Sequence, residues 1–227
     1  MPTIHLVPED LRARYHVKEW RNATGILATA HPGPWQDIIE VLRGFTLLRS
    51  EIEVSGGNRS LISRRIDGAF YANGWMEKDF KTAFVIDQRE IQSPTHAVDC
   101  FRDGVALEVE WNNEDPFFDR DLNNFRLLFE LRAIDVGVII TRSAELQNIF
   151  KKLGKGASYG AATTHHEKLW PKLEGGGGGG CPVLTFAITP ALYVDDGDEA
   201  VSKAKAAQAY ARRKGAPSAN DDEDEGR

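Results

Sequence analysis

Extended and helical patterns alternate between Gly104 and Leu153, and this order constrains the fold more than any other feature of the chain. Residues 104–111 (GVALEVEW) alternate apolar and polar side chains with a period of two, as a strand does. Residues 134–141 (IDVGVIIT) are too continuously apolar for a strand with one solvated face. A helical pattern follows each of these segments. The order predicts an α/β fold, with a central mixed β-sheet flanked by helices on both faces.

The two helices of this region have recognisable ends. Asp115 followed by Pro116 is typical of a helix start, and the helix would run to residue 133. Ser143 would begin the second helix and Gly154 would stop it. The first helix carries one apolar stripe, formed by Phe118, Leu122, Phe125 and Phe129. This stripe fits either the core or part of a dimer interface.

The rest of the chain gives weaker patterns. We expect one domain over residues 1–195 with N-terminal helices, then a C-terminal helix (196–213) and a disordered acidic tail (214–227). Within the domain the patterns predict helices at 9–21, 34–48 and 164–173, and strands at 81–87 and 182–188. They also predict loops at 55–58, 155–163 and 175–180, a turn at 92–95, and a short helix or turn at 96–101; residues 59–78 are ambiguous.

Charge and cysteine content narrow the function classes. The chain of 227 residues has a net charge of −6, which argues against a broad basic face for nucleic acid. Five consecutive acids at 221–225 supply most of that charge, and residues 1–214 carry 27 Lys and Arg against 29 Asp and Glu. Two cysteines cannot form a disulfide framework, so we expect a cytoplasmic protein. Neither a spanning helix nor a signal peptide is predicted.

Three carboxylates near the first strand indicate a metal-dependent chemistry. Glu108 and Glu110 are two residues apart on a strand and therefore project from one face, and Asp99 precedes the strand. Carboxylates held close together repel unless a cation neutralises them, and Mg²⁺ is the common hard-ligand choice. Such a site suits phosphodiester hydrolysis. A Glu-x-Glu pair on a solvated strand face is the alternative interpretation.

The context of these acids resembles a known family. The strings WNNEDPFFDRDLNNFRLLF (111–129), AIDVGVIITR (133–142) and GGGGCPVLTFAI (177–188) follow the acids. Together with the Asp99-x8-Glu108-x-Glu110 spacing, they resemble the BglII/BstYI family of type II restriction endonucleases, of the PD-(D/E)xK superfamily. The resemblance covers about residues 60–190. It implies a restriction-endonuclease-like core, a homodimer and cleavage of duplex DNA at a palindrome with a GATC core.

The resemblance also implies roles for individual residues. Asp99 and Glu108 would be catalytic metal ligands for one or two Mg²⁺, and Glu110 stands where the superfamily often has lysine, which leaves the general base open. Glu77 is a candidate further ligand from an upstream helix, although a plain surface acid is the alternative. His96 is interpreted as a supporting residue rather than a ligand.

Recognition of DNA would fall on polar residues after the two strands. Asn112 and Asn113 would contact bases, since an asparagine amide can pair with adenine, or they form a capping turn. Arg142 and Ser143 lie where a strand gives way to a helix, which suits a guanine or a phosphate. A loop expected to order on DNA supplies the remaining candidates: Tyr159, Thr163, Thr164, His165 and Lys168.

Two other functions stay open at this stage. The same fold could serve a structure-specific or repair nuclease, which would cut flaps or junctions without sequence preference. A non-catalytic DNA-binding protein is the other alternative, and it would bind DNA without hydrolysis in any metal. A DNA methyltransferase is expected beside a restriction enzyme, because the host's own sites need protection.

Overall fold

The computed structural model describes residues 2–54, 60–93, 95–114, 116–160 and 162–215. In these ranges the helices are α1 (Glu9–Arg12), α2 (Ala23–Ala30), α3 (Pro32–Gly44), α4 (Arg49–Glu53), α5 (Leu61–Ala72), α6 (Pro116–Glu130), α7 (Gln147–Lys152), α8 (His166–Glu174) and α9 (Gly197–Gly215). The strands are β1 (Tyr15–Trp20), β2 (Leu47–Leu48), β3 (Met76–Lys78), β4 (Thr82–Ile86), β5 (Arg89–Ser93), β6 (Val98–Arg102), β7 (Val105–Val109), β8 (Val136–Arg142), β9 (Val183–Ile188) and β10 (Tyr193–Val194).

Six strands form the central sheet in the order β1-β9-β8-β7-β6-β3. The middle strands β7, β8 and β9 are parallel, as expected for apolar strands joined by helices. β1 joins β9 antiparallel at one edge, and β6 and β3 add antiparallel at the other. The predicted mixed sheet is therefore confirmed.

Helices cover both faces of this sheet. On one face, Leu27 of α2 and Ile38 of α3 belong to a buried apolar cluster that includes Val138 of β8. On the other face, Leu122 of α6 belongs to a second cluster with Ile139, the next residue of β8. Because neighbouring residues of β8 enter different cores, the strand is apolar throughout, which explains its continuous hydrophobic run.

The predicted helix over residues 9–21 is wrong beyond its first turn. Only Glu9–Arg12 are helical, and Tyr15–Trp20 pair antiparallel with β9. Tyr15 is buried, and its ring lies edge-on to Phe186 of β9 at a centroid distance of 6.0 Å. The partner strand lies far along the chain, so the local pattern could not reveal the pairing.

The segment before the acids is also extended rather than turned. The expected helix or turn at 96–101 is wrong, because Val98–Arg102 form β6 and pair with β7. The expected turn at 92–95 starts too early, since Gln92 and Ser93 belong to β5; Pro94 lies outside the described residues. The predicted helix at 34–48 ends at Gly44, and Leu47 and Leu48 pair with β10.

The second part of the glycine run, residues 177–180, packs against α6 and the end of α8. Its backbone makes turns, with Gly177 N donating to Lys172 O at 2.9 Å. A Cβ on Gly177 would lie 3.1 Å from Leu122, and one on Gly179, where φ is +55°, would lie 2.6 Å from Arg126. The expectation of a flexible loop is corrected, because side chains at these positions would collide with α6 and the end of α8.

The structure also bears on the expectations about the α6 stripe, the cysteines and the ends of the chain. The α6 stripe lies in the core, with Phe118, Leu122 and Phe125 fully buried. Both cysteines are buried, and neither forms a disulfide. No helix in the described ranges is long and apolar enough to cross a membrane. Helix α9 packs along α4, whereas the loop at 55–58 and the tail from residue 216 lie outside the described residues.

Candidate active site

Asp99 and Glu108 lie side by side on neighbouring strands. The β6–β7 register pairs Cys100 with Leu107, and one further step along it brings Asp99 opposite Glu108. The backbone N–H of Asp99 donates to Glu108 Oε2 at 3.3 Å, and the N–H of Val109 donates to Asp99 Oδ2 at 3.2 Å. The two carboxylates are therefore held together by the backbone of the strands that carry them.

Glu110 follows directly after β7 and projects from the same face. Its N–H still donates to Ile140 O of β8 at 2.9 Å, which keeps the chain extended. Glu108 is 2% exposed and Glu110 is 1% exposed. The surface-acid alternative is excluded for this pair, because α6 covers the face that carries it.

A fourth carboxylate, Asp121 on α6, joins this cluster, and the sequence reasoning missed it. Asp121 is 1% exposed and contacts Arg120, whose Nη2 is 2.8 Å from Asp121 Oδ1 and 3.4 Å from Glu110 Oε1. Asp121 Oδ2 is buried with no hydrogen-bond donor among the described residues. The available signal was its position three residues after Phe118 and four before Phe125, which sets an acid on the apolar stripe.

The protonation of the cluster reflects burial and repulsion. Burial raises the pKa of Glu108 well above its ordinary value, and the negative charges of Asp121 and Asp99 raise it further. The same causes, burial and then Asp121, raise the pKa of Glu110 to about 9. Burial also raises the pKa of Asp121, although Arg120 acts against it. Burial and the proximity of the carboxyl groups thus both favour their protonated forms.

The chemistry of the cluster suits a hard divalent cation. Carboxylate oxygens are the preferred ligands of Mg²⁺. Asp121 Oδ2 has no donor among the described residues, and repulsion by Asp121 and Asp99 adds to burial in raising the pKa of Glu108. No group of three or more His, Cys, Asp or Glu within the described ranges is arranged closely enough to form a metal site. The residues fit the cation by the type of their donor atoms.

Asn124, one helical turn after Asp121, holds the segment that leads to Asp99. Its Nδ2 donates to His96 O at 3.0 Å, and its Oδ1 accepts from His96 N at 3.4 Å. The side chain of Asn124 is buried, and its two hydrogen bonds take the place of a neighbouring strand for the backbone of His96, just before β6. His96 thus contributes its backbone to these contacts, and Asn124 was not predicted.

Glu77 lies elsewhere than the sequence suggested. It belongs to β3, the strand next to β6 at the edge of the sheet, and its side chain is exposed. The expectation that it comes from a helix is wrong. Its role as a metal ligand stays a prediction.

The two asparagines after the carboxylates both make contacts inside the protein. Asn112 Nδ2 donates to Ser158 O at 3.0 Å, and Asn113 Nδ2 donates to Glu110 Oε2 at 2.7 Å. Each side chain is half-buried. The capping-turn alternative did not anticipate either partner.

Several predicted DNA contacts lie inside the protein fold. Arg142, Ser143, Tyr159 and Thr164 are each no more than 1% exposed. Arg142 donates to Thr163 Oγ1 at 2.6 Å, and burial lowers its pKa to about 10. Tyr159 stacks on Phe150 with ring centroids 4.2 Å apart. A base contact by any of these buried residues therefore requires the segment around 159–164 to move.

His165 and Lys168 are the more accessible candidates. Both are half-buried at the start of α8, and His165 Nδ1 lies 3.0 Å from Glu167 Oε2. A cavity of about 320 Å³ opens beside them, lined by residues that include Arg142, Gln147, Lys151 and His165. Several of its lining side chains are basic or amide, although most of the cavity surface is apolar.

The mixed sheet with helices on both faces, and acids at the junction of β6 and β7, define a restriction-endonuclease-like α/β fold. The family model for restriction endonuclease BglII/BglIII matches residues 15–188. The chain therefore belongs to this family of nucleases, whose members generally use divalent metal ions. Comparison with individually curated proteins gives no match.

Proposed function

We propose that the protein is a type II restriction endonuclease that hydrolyses phosphodiester bonds of double-stranded DNA with Mg²⁺. The observation that carries this proposal is the pairing of Asp99 with Glu108 on adjacent strands, beside buried Glu110, in a chain of this nuclease family. A buried, mutually repelling set of carboxylates costs stability, which a cation-binding function explains.

Each carboxylate has a role in this proposal. Asp99 and Glu108 would hold the cation, with Glu77 a further candidate from the neighbouring strand. A bound divalent cation would polarise the scissile phosphate and stabilise the leaving oxygen. Glu110 would orient or deprotonate the attacking water, while Asn113 and Arg120 hold its carboxylate in place.

The finer properties follow from the resemblance of the sequence. We propose a palindromic target with a GATC core, read by a homodimer, because a two-fold protein matches a two-fold site. The protein would act in the cytoplasm, with a cognate DNA methyltransferase in the same system. Direct contacts to DNA are proposed for Asn112, Asn113, Arg142, Ser143, Tyr159, Thr163, Thr164, His165 and Lys168.

A cleavage assay tests the activity. Purified protein is incubated with unmethylated plasmid DNA and Mg²⁺, and we expect discrete fragments whose sequenced ends share one palindromic site. An EDTA control should give intact DNA. Absence of discrete fragments across divalent metals and salt concentrations would refute the proposal. Cutting of flaps or junctions without a shared sequence would instead favour a structure-specific nuclease.

Substitutions test the assignment of the site. Asp99→Ala and Glu108→Ala are expected to abolish cleavage while duplex binding is largely kept. Asp119→Ala is the matched control, because Asp119 is an exposed acid that pairs with Lys172 at 2.6 Å on the outer side of α6. If either site variant cuts at the wild-type rate, the assignment is wrong.

The proposed assembly has its own measurement. Light scattering after size-exclusion chromatography should give twice the chain mass of 25.2 kDa. A monomer that cuts at a palindrome with one nick per encounter would contradict the dimer but not the nuclease.

A further inference from the structure

The carboxylate of Glu110 has partners on both of its oxygens. Asn113 Nδ2 donates to Oε2 at 2.7 Å, and Arg120 Nη2 lies 3.4 Å from Oε1. The shorter contact comes from a residue three positions later, on the turn after β7. An amide N–H at this distance fixes the orientation of the carboxyl group that accepts it. Asn113 therefore has more influence on the placement of Glu110 than its distance from the reacting atoms suggests.

The amide of Asn113 can serve two partners at once. An asparagine nitrogen carries two hydrogens, and its oxygen accepts two hydrogen bonds. One N–H is engaged by Glu110, which leaves the other N–H and Oδ1 for a second partner. These two groups are the edge with which asparagine pairs with adenine in the major groove. The side chain is half-buried, so part of it reaches solvent.

The backbone of Asn113 is tied to the segment that begins α8. Thr164 N donates to Asn113 O at 2.8 Å, and Thr163 pairs with Glu114 in an isolated bridge. Thr163 also accepts from Arg142 at the end of β8. A displacement of this segment by DNA would therefore change the turn that aims the Asn113 amide at Glu110.

We propose that Asn113 is a positioning residue that couples recognition of a base to the placement of Glu110. This inference rests on the proposed nuclease function. A base that engages the free edge of the amide fixes its rotation and so holds Glu110 in place. A base that cannot pair with this edge leaves Glu110 less well placed, so specificity enters the rate of cleavage as well as the affinity.

The experiment separates binding from cleavage. Affinity for a cognate duplex is measured with Ca²⁺, and the single-turnover cleavage rate is then measured with Mg²⁺ and protein in excess over DNA. For Asn113→Ala we expect the rate from the saturated complex to fall on the order of 100-fold, as for other misplaced catalytic groups. Asn113→Asp, which replaces the donor with an acceptor facing Glu110, should lose at least as much.

The matched control is Asn123→Ala, which removes an exposed amide from α6 that contacts Arg126. Its cleavage rate and affinity should equal those of the wild type. Variants of Asn113 that bind weakly but cut at the wild-type rate once saturated would overturn the coupling and leave the nuclease proposal intact. A wild-type protein that cuts no DNA would overturn the nuclease proposal and the coupling with it.

Discussion

Replacing Asp121 by asparagine should stabilise the metal-free protein, because it removes one charge from a crowded buried cluster. Asp121 Oδ2 is buried and has no donor among the described residues, and such a group costs about 1–3 kcal/mol. The amide of asparagine can instead donate to the Glu110 carboxylate. The lost pairing with Arg120, which is one-third exposed, offsets about 0–1 kcal/mol. We expect Asp121→Asn to raise the free energy of unfolding by about 0–3 kcal/mol.

The assay is urea unfolding in EDTA, followed by the fluorescence of tryptophan, since Trp111 adjoins the cluster. Its pH dependence has a definite sign. The pKa of Glu110 is raised to about 9 in the folded state, so its proton is lost earlier in the unfolded chain. Stability from this group is full below its ordinary pKa of 4.5 and is lost as the pH rises toward 9. This loss should be smaller in Asp121→Asn, because Asp121 contributes to the raised pKa.

In Mg²⁺ the wild type should be more stable than Asp121→Asn, the reverse of the order expected in EDTA. A cation at 100 times its dissociation constant stabilises the folded state by about 2.7 kcal/mol, and the variant, with one carboxylate fewer, should gain less. Asp119→Asn is the control for charge, since Asp119 is exposed, and it should not gain stability in EDTA. A metal-free Asp121→Asn protein that is less stable than the wild type would refute the repulsion argument. An equal response to Mg²⁺ would separate Asp121 from the cation.

Three further predictions concern the framework. Burial lowers the pKa of His166 to about 4, so the folded state favours the neutral imidazole. The free energy of unfolding should therefore fall by on the order of 1 kcal/mol between pH 7 and 5, as the histidine of the unfolded chain becomes protonated. His166→Gln should lessen this fall in urea titrations. Gly137→Ala should lower the unfolding free energy by about 1–3 kcal/mol, because its Cβ would overlap the Phe125 ring; an unchanged melting temperature would contradict this. Asn124→Ala should cost about 1–3 kcal/mol, and hydrogen exchange should show faster exchange at the N–H of His96, with unchanged protection contradicting the contact.

Local sequence patterns predicted the middle strands of the sheet, because the order of apolar and polar residues in each strand shows which side chains are buried. The alternation in β7 and the apolar run in β8 are properties of short segments, and both strands lie where the sequence placed them. Glu108 and Glu110 could be placed on one face for the same reason. The strand at Tyr15–Trp20 could not be found in this way, because its stability comes from pairing with β9, more than 160 residues later.

In the candidate site, too, some residues could be predicted from local sequence patterns and others could not. Asp99 was recognised from its spacing to Glu108, although its strand was not. Asp121 and Asn124 were not predicted, because the packing of α6 against the sheet brings them to the site. Helical spacing shows only that each is a polar residue on an apolar helix face, not what it contacts. The burial of Arg142 and Tyr159 could not be predicted either, since Arg142 ends a strand and Tyr159 lies in a segment typical of a surface loop.

The placement of α6 in the core has a consequence for any pairing of two copies across this helix. Its apolar stripe is largely used in the core, so most of the exposed side chains left for a partner are polar: Asp119, Asn123, Arg126 and Glu130. A contact between such surfaces buries little hydrocarbon and has a small heat-capacity change. It also weakens as salt screens its charges. Two chains joined through this helix would therefore separate on raising the ionic strength, well before either chain unfolds.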